Sequence, residues 1–440
     1  MKQLVLALVG AAAVLLIAAS ASAQDATGDW HRFIDAETDA RFDSIVEWRR
    51  HFHRNPELSN REFETAEYIA EFLRDLDMEV MTGVAHTGVV GVLEGGRPGP
   101  VVGLRADMDA LPVPSRVGLD FSPDVTSEFL GETVPVSHAC GHDAHMAMLM
   151  GVAEMFAARR DELPGTIKFI FQPAEEGAPP GEEGGGEMMV AEGVLDNPDV
   201  DVIFGQHISS WFPLGMVGFR GGGIMAASDR FVITVNGKQT HGSTPWTGVD
   251  PIAVASQIVI GLNMIVSRQT ELTNAAAVIS VGRVRAGVRN NIIPESAELI
   301  GTIRTLDSDM QDKIHADIRR TVEHIALSFG ATADVEIDRG YPVTYNHREL
   351  TEMMAPTLER VAGEGATRVN PITGAEDFSF FQKKVPGLYF FTGALTPGTA
   401  PHEAPPHHTP DFYIDEEGMR MGTRALAGLA IDYMLMHAGD

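Results

Sequence analysis

Between residues 86 and 211, short apolar runs rich in valine and isoleucine punctuate the chain: "HTGVVGVLEG", "GPVVGLRADMDALPV", "GTIKFIFQPAEEG" and "DVIFGQHISSW". Their apolar residues run on with little alternation, as strands buried on both faces require, so they predict an α/β sheet flanked by helices. A helix is expected from about His142 to Arg160. Two further helical stretches between Ala40 and Leu76 flank "HRNPELS", where Pro56 breaks the first.

The pattern then changes. "DRFVITVNG" reads as a strand, residues 250–268 as a helix, and "AAAVISVGRVRAG" and "ESAELIGTIRT" as strands; a helix over 308–328 and the strand "ATADVEID" follow. That β-α-β-β-α-β order is the signature of a ferredoxin-like α+β domain. Afterwards the α/β texture returns, with "GLYFFTGA" as a strand and a helix from about Asp415 to His437. The expected organisation is an α/β domain with a mixed sheet, in two parts over 24–222 and 338–440, interrupted by a smaller domain over 223–337.

The first residues differ from all of this. Lys2 precedes an apolar run from Leu4 to about Ala18, and Ala21-Ser22-Ala23 follows. This is the layout of an export signal over residues 1–23, cleaved before Gln24. The run is short for a membrane span of about 20 residues, and no later stretch reads as one. The mature protein is therefore expected in the periplasm or outside the cell.

Charge narrows the class of partner. Acidic residues number 61 against 33 basic ones, a net charge of −28, which argues against nucleic-acid binding through phosphates. Cys140 is the single cysteine, so in an oxidising compartment no disulfide forms within the chain. It is either a buried small hydrophobe or a functional thiolate.

Its neighbours favour function. Asp107 and Asp109 follow one predicted strand, Glu175 and Glu176 another, and His207 a third; "HACGHD" stands just before a helix. In open α/β sheets sites form beyond the carboxyl ends of the strands. Thiolate, imidazole and carboxylate are ligand types of zinc and similar cations. Cys140 and His142 are one residue apart in a glycine-containing turn, and their place at a helix N-terminus favours thiolate over thiol. The Glu175–Glu176 pair offers one carboxylate for metal and one to take a proton from bound water. His407 and His408 of "PPHHTPDF" offer further imidazoles. A Cys-His nucleophilic catalyst is the rival use of the thiol, but it leaves the glutamate pair without a task.

Taken together, "HRNPELSNREFETAEYIAEFL", "GLRADMDALPV", "HACGHDAHMAMLMGVA", "FQPAEEG", "GQH", "HGSTPW", "NIIPESAELIGTIRT", "GAEDFSFF" and "HHTPDFYIDEE" resemble, in this order, the aminoacylase and carboxypeptidase group of metal-dependent amidohydrolases. The resemblance spans residues 41–437 and points to the branch of hippurate hydrolases, N-acyl-amino-acid amidohydrolases and auxin-conjugate hydrolases. It implies two divalent metals, zinc or manganese first and cobalt or nickel next, held by Cys140, His142, Glu176, His207 and His408. Glu175 is implied as general base, and Cys140 as a bridge between the ions. Asp109 is implied to orient the site; Asp107 stands near the place of a histidine ligand in other branches. In the inserted lid or dimerisation domain, His241 resembles the oxyanion donor, and Asn291 and Arg304 the residues that hold the substrate carboxylate.

The resemblance further implies hydrolysis of the amide of an N-acyl amino acid or small peptide by a homodimer or higher homo-oligomer. A cysteine-nucleophile amidase and a non-catalytic periplasmic metal- or solute-binding protein are the alternatives. Two departures bear on the substrate. "VPSRVG", with Ser115, replaces a segment that often carries a glutamate, and "GAPPGEEGGGEMM" is unusually acidic and glycine-rich.

Overall fold

The structure is a computed structural model that describes residues 2–438, with side chains from residue 27 onward; the expected export signal lies outside the residues whose side chains are described. In chain order the elements are α1 (Lys2–Arg54), α2 (Phe63–Asp75), β1 (Glu79–Val84), β2 (Gly88–Glu94), β3 (Arg97–Asp107), the hairpin β4 (Thr126–Phe129) and β5 (Glu132–Pro135), α3 (His142–Ala158), β6 (Pro164–Gln172), α4 (Gly185–Ala191), β7 (Val202–Pro213) and β8 (Val217–Phe219). Next come β9 (Gly222–Met225), β10 (Ala227–Asn236), β11 (Thr240–His241), α5 (Pro251–Met264), β12 (Ala277–Ala286), β13 (Ile292–Ile293), β14 (Ser296–Thr305), α6 (Ser308–Ser328), β15 (Thr332–Arg339) and β16 (Thr344–Asn346). The chain closes with α7 (Arg348–Ala362), β17 (Ala366–Arg368), α8 (Ser379–Gln382), β18 (Gly387–Leu395) and α9 (Glu417–Met436).

These elements fall into two compact units. The first comprises Met1–Phe219, Arg348–Arg368 and Val385–Asp440; the second comprises Arg220–His347 and Val369–Lys384. The segment 223–337 lies inside the second unit, which also takes up residues 369–384.

The first unit is built on an eight-stranded sheet, ordered β1-β2-β6-β3-β7-β18-β8-β17. Its centre is parallel, with β6, β3, β7 and β18 running together, while β1 and β2 pair antiparallel with their neighbours, and β8 runs antiparallel to β18 and parallel to β17. Every residue of β18 and nearly every residue of β6 is buried, which explains their unbroken apolar runs. α3 is buried on nearly every side. α1 lays Trp30, Ile34, Phe42, Ile45 and Phe52 into the core, at the spacing of one helical face. That stripe begins well before Ala40, where the sequence pattern first reads as helical; the charged residues of "DWHRFIDAETDARF" conceal it.

The second unit carries a four-stranded antiparallel sheet ordered β12-β14-β10-β15. α5 and α6 pack a common apolar core with it, around Phe231, Ile258, Leu299 and Ile318. Asp250 caps α5 by accepting from the N–H groups of Ile252 and Ala253, with Pro251 at the first position. Among the described residues, Pro251–Gln269 is long and apolar enough to cross a bilayer, contrary to the expectation that nothing past the leader is. It buries Val254, Ile258 and Leu262 in the core of the sheet.

Phe204 lies near the start of β7 and is fully buried. Phe204→Ala is expected to destabilise the protein by about 3–5 kcal/mol, measured by urea unfolding; a loss below ~1 kcal/mol would contradict the placement of this strand at the centre of the core.

Candidate metal centre

β3, β6 and β7 run parallel, so the segments beyond their carboxyl ends gather at one edge of the sheet. Asp107 ends β3 directly opposite Gln172, which ends β6. Glu175 and Glu176 come just after β6, and His207 lies within β7. α3 begins at His142 behind Gly141, whose φ is +99°. A Cβ at Gly141 would also approach Ile208 Cγ2 to 2.6 Å, so only glycine permits the turn that presents Cys140. Ala174 and His408 hold left-handed backbones, φ +52° and +62°, which non-glycine residues seldom adopt away from functional sites. The Ala174 N–H donates to Glu62 Oε1 at 2.9 Å, and Thr87 Oγ1 donates to Glu62 Oε2 at 2.6 Å. Burial, seconded by nearby Asp109, pushes the Glu62 carboxyl up to about 8.

Asp109 connects these pieces. Its Oδ2 accepts from Ser59 Oγ at 2.7 Å and from the Glu176 N–H at 3.0 Å. Its Oδ1 accepts from the Glu175 N–H at 3.1 Å and lies 3.2 Å from His142 Nδ1. Burial raises the proton affinity of this carboxylate, but the hydrogen bonds from His142 and Ser59 outweigh it and hold Asp109 below the usual range. Asp107 is engaged differently: Arg105 Nη1 donates to its Oδ2 at 2.7 Å, and His145 Nδ1 lies 2.6 Å from its Oδ1. Both carboxylates act on other side chains of the site.

Backbone partners sort the five histidines. His145 Nε2 accepts from the Ile208 N–H at 2.8 Å, so its Nδ1 is the donor to Asp107 and both nitrogens are used. His407 likewise accepts from the Ser210 N–H through Nε2 and donates to the Cys140 carbonyl through Nδ1. His142 Nδ1 donates to the Asp109 carbonyl at 2.9 Å, and His207 Nδ1 to the Ile208 carbonyl at 2.6 Å. In each of these last two Nε2 faces the site, the tautomer a metal ligand needs. His408 Nε2 lies 3.2 Å from Cys140 Sγ and 3.0 Å from Glu176 Oε1.

Several donor groups cluster here, among them Asp107 with His142 and His145, and His142 with Glu175 and Glu176; two groups share the thiol. Cys140, His142 and His207 form one; Cys140, Glu176 and His408 form the other, the donor atoms of each set lying within 4.8 Å of one another. The thiol is common to both. His142 Nε2 is buried without a hydrogen-bond partner, a costly arrangement unless a cation binds it. The set therefore fits divalent metal. Glu175 stands alongside, Oε2 3.8 Å from His142 Nε2.

The electrostatics separate metal from nucleophile chemistry. Burial, then Glu176, Glu175 and Asp107, push the Cys140 thiol well above its ordinary value. The helix N-terminus does not deliver the expected thiolate, because burial, and then the three carboxylates, favour the neutral thiol. His207 lies 3.3 Å from Cys140 Sγ, but burial, His145 and His407 hold its imidazole well below 6.5. A weak base beside a weak acid makes no activated nucleophile.

His241, Asn291 and Arg304 lie in the second unit. The β11–β13 pair sets His241 opposite Ile292, with the Gly242 N–H donating to the Asn291 carbonyl at 2.8 Å. Arg304 lies on β14 between Ser228 and Val278. Sequence reasoning passed over Ser59, Glu62 and Arg105 as individual residues. Arg105 was findable, as a lone charge inside an otherwise apolar strand. Ser59 and Glu62 act only across the fold.

Residues 103–432 match the family described as Peptidase family M20/M25/M40. Thermostable carboxypeptidase 2 of Saccharolobus solfataricus is 41% identical over 393 residues, 89% of this chain and 95% of that protein. N-acetylcysteine deacetylase of Bacillus subtilis is 36% identical over 389 residues, covering 88% of this chain and 96% of its own length. The crystal structure of the Bacillus subtilis YXEP protein, described as a dinuclear metal-binding peptidase, matches with a TM-score of 0.75 and 33% identity, covering 90% of this chain and 99% of that one.

Although burial opposes it, Asp107 and Asp109 push the His142 imidazole up to about 10, so the metal-free site holds protons on both His142 and Cys140. Metal must displace them. Zinc added near pH 7 is expected to release protons, with apparent affinity rising as pH is raised toward 10; calorimetric enthalpies in buffers of different ionisation heat measure this, and proton-neutral binding would contradict it.

Proposed function

The chain belongs to peptidase family M20/M25/M40 and is a metal-dependent hydrolase of amide or peptide bonds; on that premise we propose that it cleaves N-acyl amino acids or small peptides at a two-metal site, releasing a free amino acid. The observation that carries this reading is the pair of donor sets sharing Cys140, with Glu175 beside them and needed by neither.

Cys140, His142, Glu176, His207 and His408 would hold the two ions, Cys140 being the donor common to both sets. Imidazole, thiolate and carboxylate together suit zinc or manganese, and admit cobalt or nickel. When bound, the cations supply Lewis acidity, polarising the scissile carbonyl and acidifying water. Glu175 takes the proton of the attacking water and returns it to the departing amine nitrogen, leaving the carboxylate as it began. Asp109 keeps both glutamates in place through their N–H groups and fixes the ring of His142. Asp107 acts at one remove, through His145.

His241 is the proposed oxyanion donor. The Ser243 N–H donates to its Nδ1 at 3.0 Å, which leaves the ring proton on Nε2, as a donor role requires. Asn291 and Arg304 are proposed to bind the substrate carboxylate, a role the arginine fork suits. The leader at residues 1–23 supports a periplasmic or secreted protein, and the resemblance of the inserted segment to a dimerisation domain supports a homodimer or higher homo-oligomer.

A chelator is expected to abolish hydrolysis and added divalent metal to restore it. Glu175→Gln is expected to lower kcat by about 10²–10⁴-fold while metal content after dialysis stays at the wild-type level. Turnover unaffected by Glu175→Gln would remove this glutamate from the mechanism.

A further inference from the structure

Three consecutive N–H groups emerge from the turn after β6, and buried carboxyl groups of other segments take all three. Those of Glu175 and Glu176 go to Asp109. The one before them, of Ala174, goes to Glu62 Oε1 at 2.9 Å. Glu62 is fully buried, and its other oxygen accepts from Thr87 Oγ1 at 2.6 Å, so both ends of the carboxyl group are anchored.

The helix that Glu62 begins makes no use of its side chain. Glu62 stands at the N-cap of α2, yet it accepts from none of that helix's N–H groups. Glu57 does so instead, accepting from the N–H groups of Glu64 at 3.2 Å and Thr65 at 2.9 Å. Thr87 comes from the β1–β2 turn, which passes through left-handed residues at Ala85 (φ +48°) and His86 (φ +77°). That turn also leans on the segment after β6: a Cβ at Gly88 would lie 3.1 Å from Pro173 Cδ. Residues 62 and 87, remote from each other and from 174 in sequence, converge on the residue that precedes the base.

The backbone at Ala174 needs such a tie. Its φ of +52° is a conformation that an alanine leaves readily for right-handed or extended ones. Either change would rotate the peptide leading into Glu175 and swing that side chain away from His142 Nε2, which its Oε2 now meets at 3.8 Å. Asp109 restrains the two following N–H groups; Glu62 restrains the N–H of the strained residue itself.

We propose that Glu62 is a positioning residue for the general base: by holding the Ala174 N–H it fixes the left-handed turn, and with it the direction of the Glu175 carboxylate. The inference rests on the reading of Glu175 as base and adds the residue that aims it. Glutamine at position 62 keeps an acceptor for Ala174 and can donate to Thr87 Oγ1. Burial and nearby Asp109 already push the Glu62 carboxyl up to about 8, so an uncharged amide is a small change there. Methionine keeps the bulk and removes the acceptor.

The test compares Glu62→Met with Glu62→Gln in the metal-loaded protein, alone and combined with Glu175→Gln, on N-acetylglycine and N-benzoylglycine. Glu62→Met is expected to lower kcat by about ten- to a hundredfold, with KM and metal content near wild type, and Glu62→Gln to recover most of that loss. Added to Glu175→Gln, Glu62→Met is expected to cost less than about twofold, because the group it aims is already gone. Loss by the same factor in both backgrounds, or a loss carried by KM or by metal release, overturns the proposal. Crystals of the variants answer without turnover. In Glu62→Met the Ala174 backbone is expected to leave the left-handed region and Glu175 to swing from His142, while in Glu62→Gln both stay; an unmoved turn in Glu62→Met overturns the proposal. If Glu62→Met does not fold, Thr87→Val, which frees one carboxyl oxygen, takes its place, and an unmoved turn with unchanged kcat overturns the proposal there. If the wild type hydrolyses neither compound, the N-acyl amino acid reading fails separately, and the crystals still decide the role of Glu62.

Discussion

A single buried carboxylate, that of Asp109, holds the metal centre in register. It accepts from Ser59, from two consecutive backbone N–H groups at Glu175 and Glu176, and it meets the Nδ1 edge of His142. Hydrogen bonds to a buried charge are worth about 1.5–3 kcal/mol each, and here they join three separate chain segments. The turn that carries the two glutamates cannot move without breaking them. His142 cannot rotate without surrendering both its carbonyl and its carboxylate partner. The two donor sets depend on this one side chain remaining ionised in the interior.

Ionised it stays, because the region is a balance of charges. Asp107 is clamped between Arg105 and His145. In the first turn of α3, Asp143 lies 2.9 Å from Arg49 Nε and 2.8 Å from His53 Nδ1; although burial opposes it, Arg49 and His53 hold this carboxylate well below its usual range. Arg49 is tied in turn to Glu416. Each of these acids has its own cation or donors. At Cys140 burial first, and then repulsion from Glu176, Glu175 and Asp107, drives the thiol to keep its proton. A divalent cation removes that repulsion, as ions at such sites do.

Much of this was legible in the sequence. Unbroken apolar runs announced buried parallel strands, and polar clusters after them announced the edge where a site forms. Cys140, His142, Glu175 and Glu176 could each be picked out because strand ends and a helix start are local features, whereas His207, expected just past a strand, lies inside β7. The start of the α1 stripe at Trp30 was hidden, since charged residues on the solvent side dilute the period. The roles of Ser59 and Glu62 were hidden for a different reason. Each reaches a partner far along the chain, Asp109 and the Ala174 N–H, and nothing local marks such a bond.

The sequence by itself determined the family, the α/β class and the inventory of donor groups, because hydrophobic period and motif order are properties of the chain. Tertiary structure decided which donors face one another and which are already used. It separated His142 and His207, whose Nδ1 atoms donate to backbone carbonyls, from His145 and His407, whose nitrogens are both engaged. It also turned Cys140 from an expected thiolate into a thiol that retains its proton until metal arrives. Protonation and tautomer depend on burial and on neighbours brought from distant segments, and those exist only once the chain has folded.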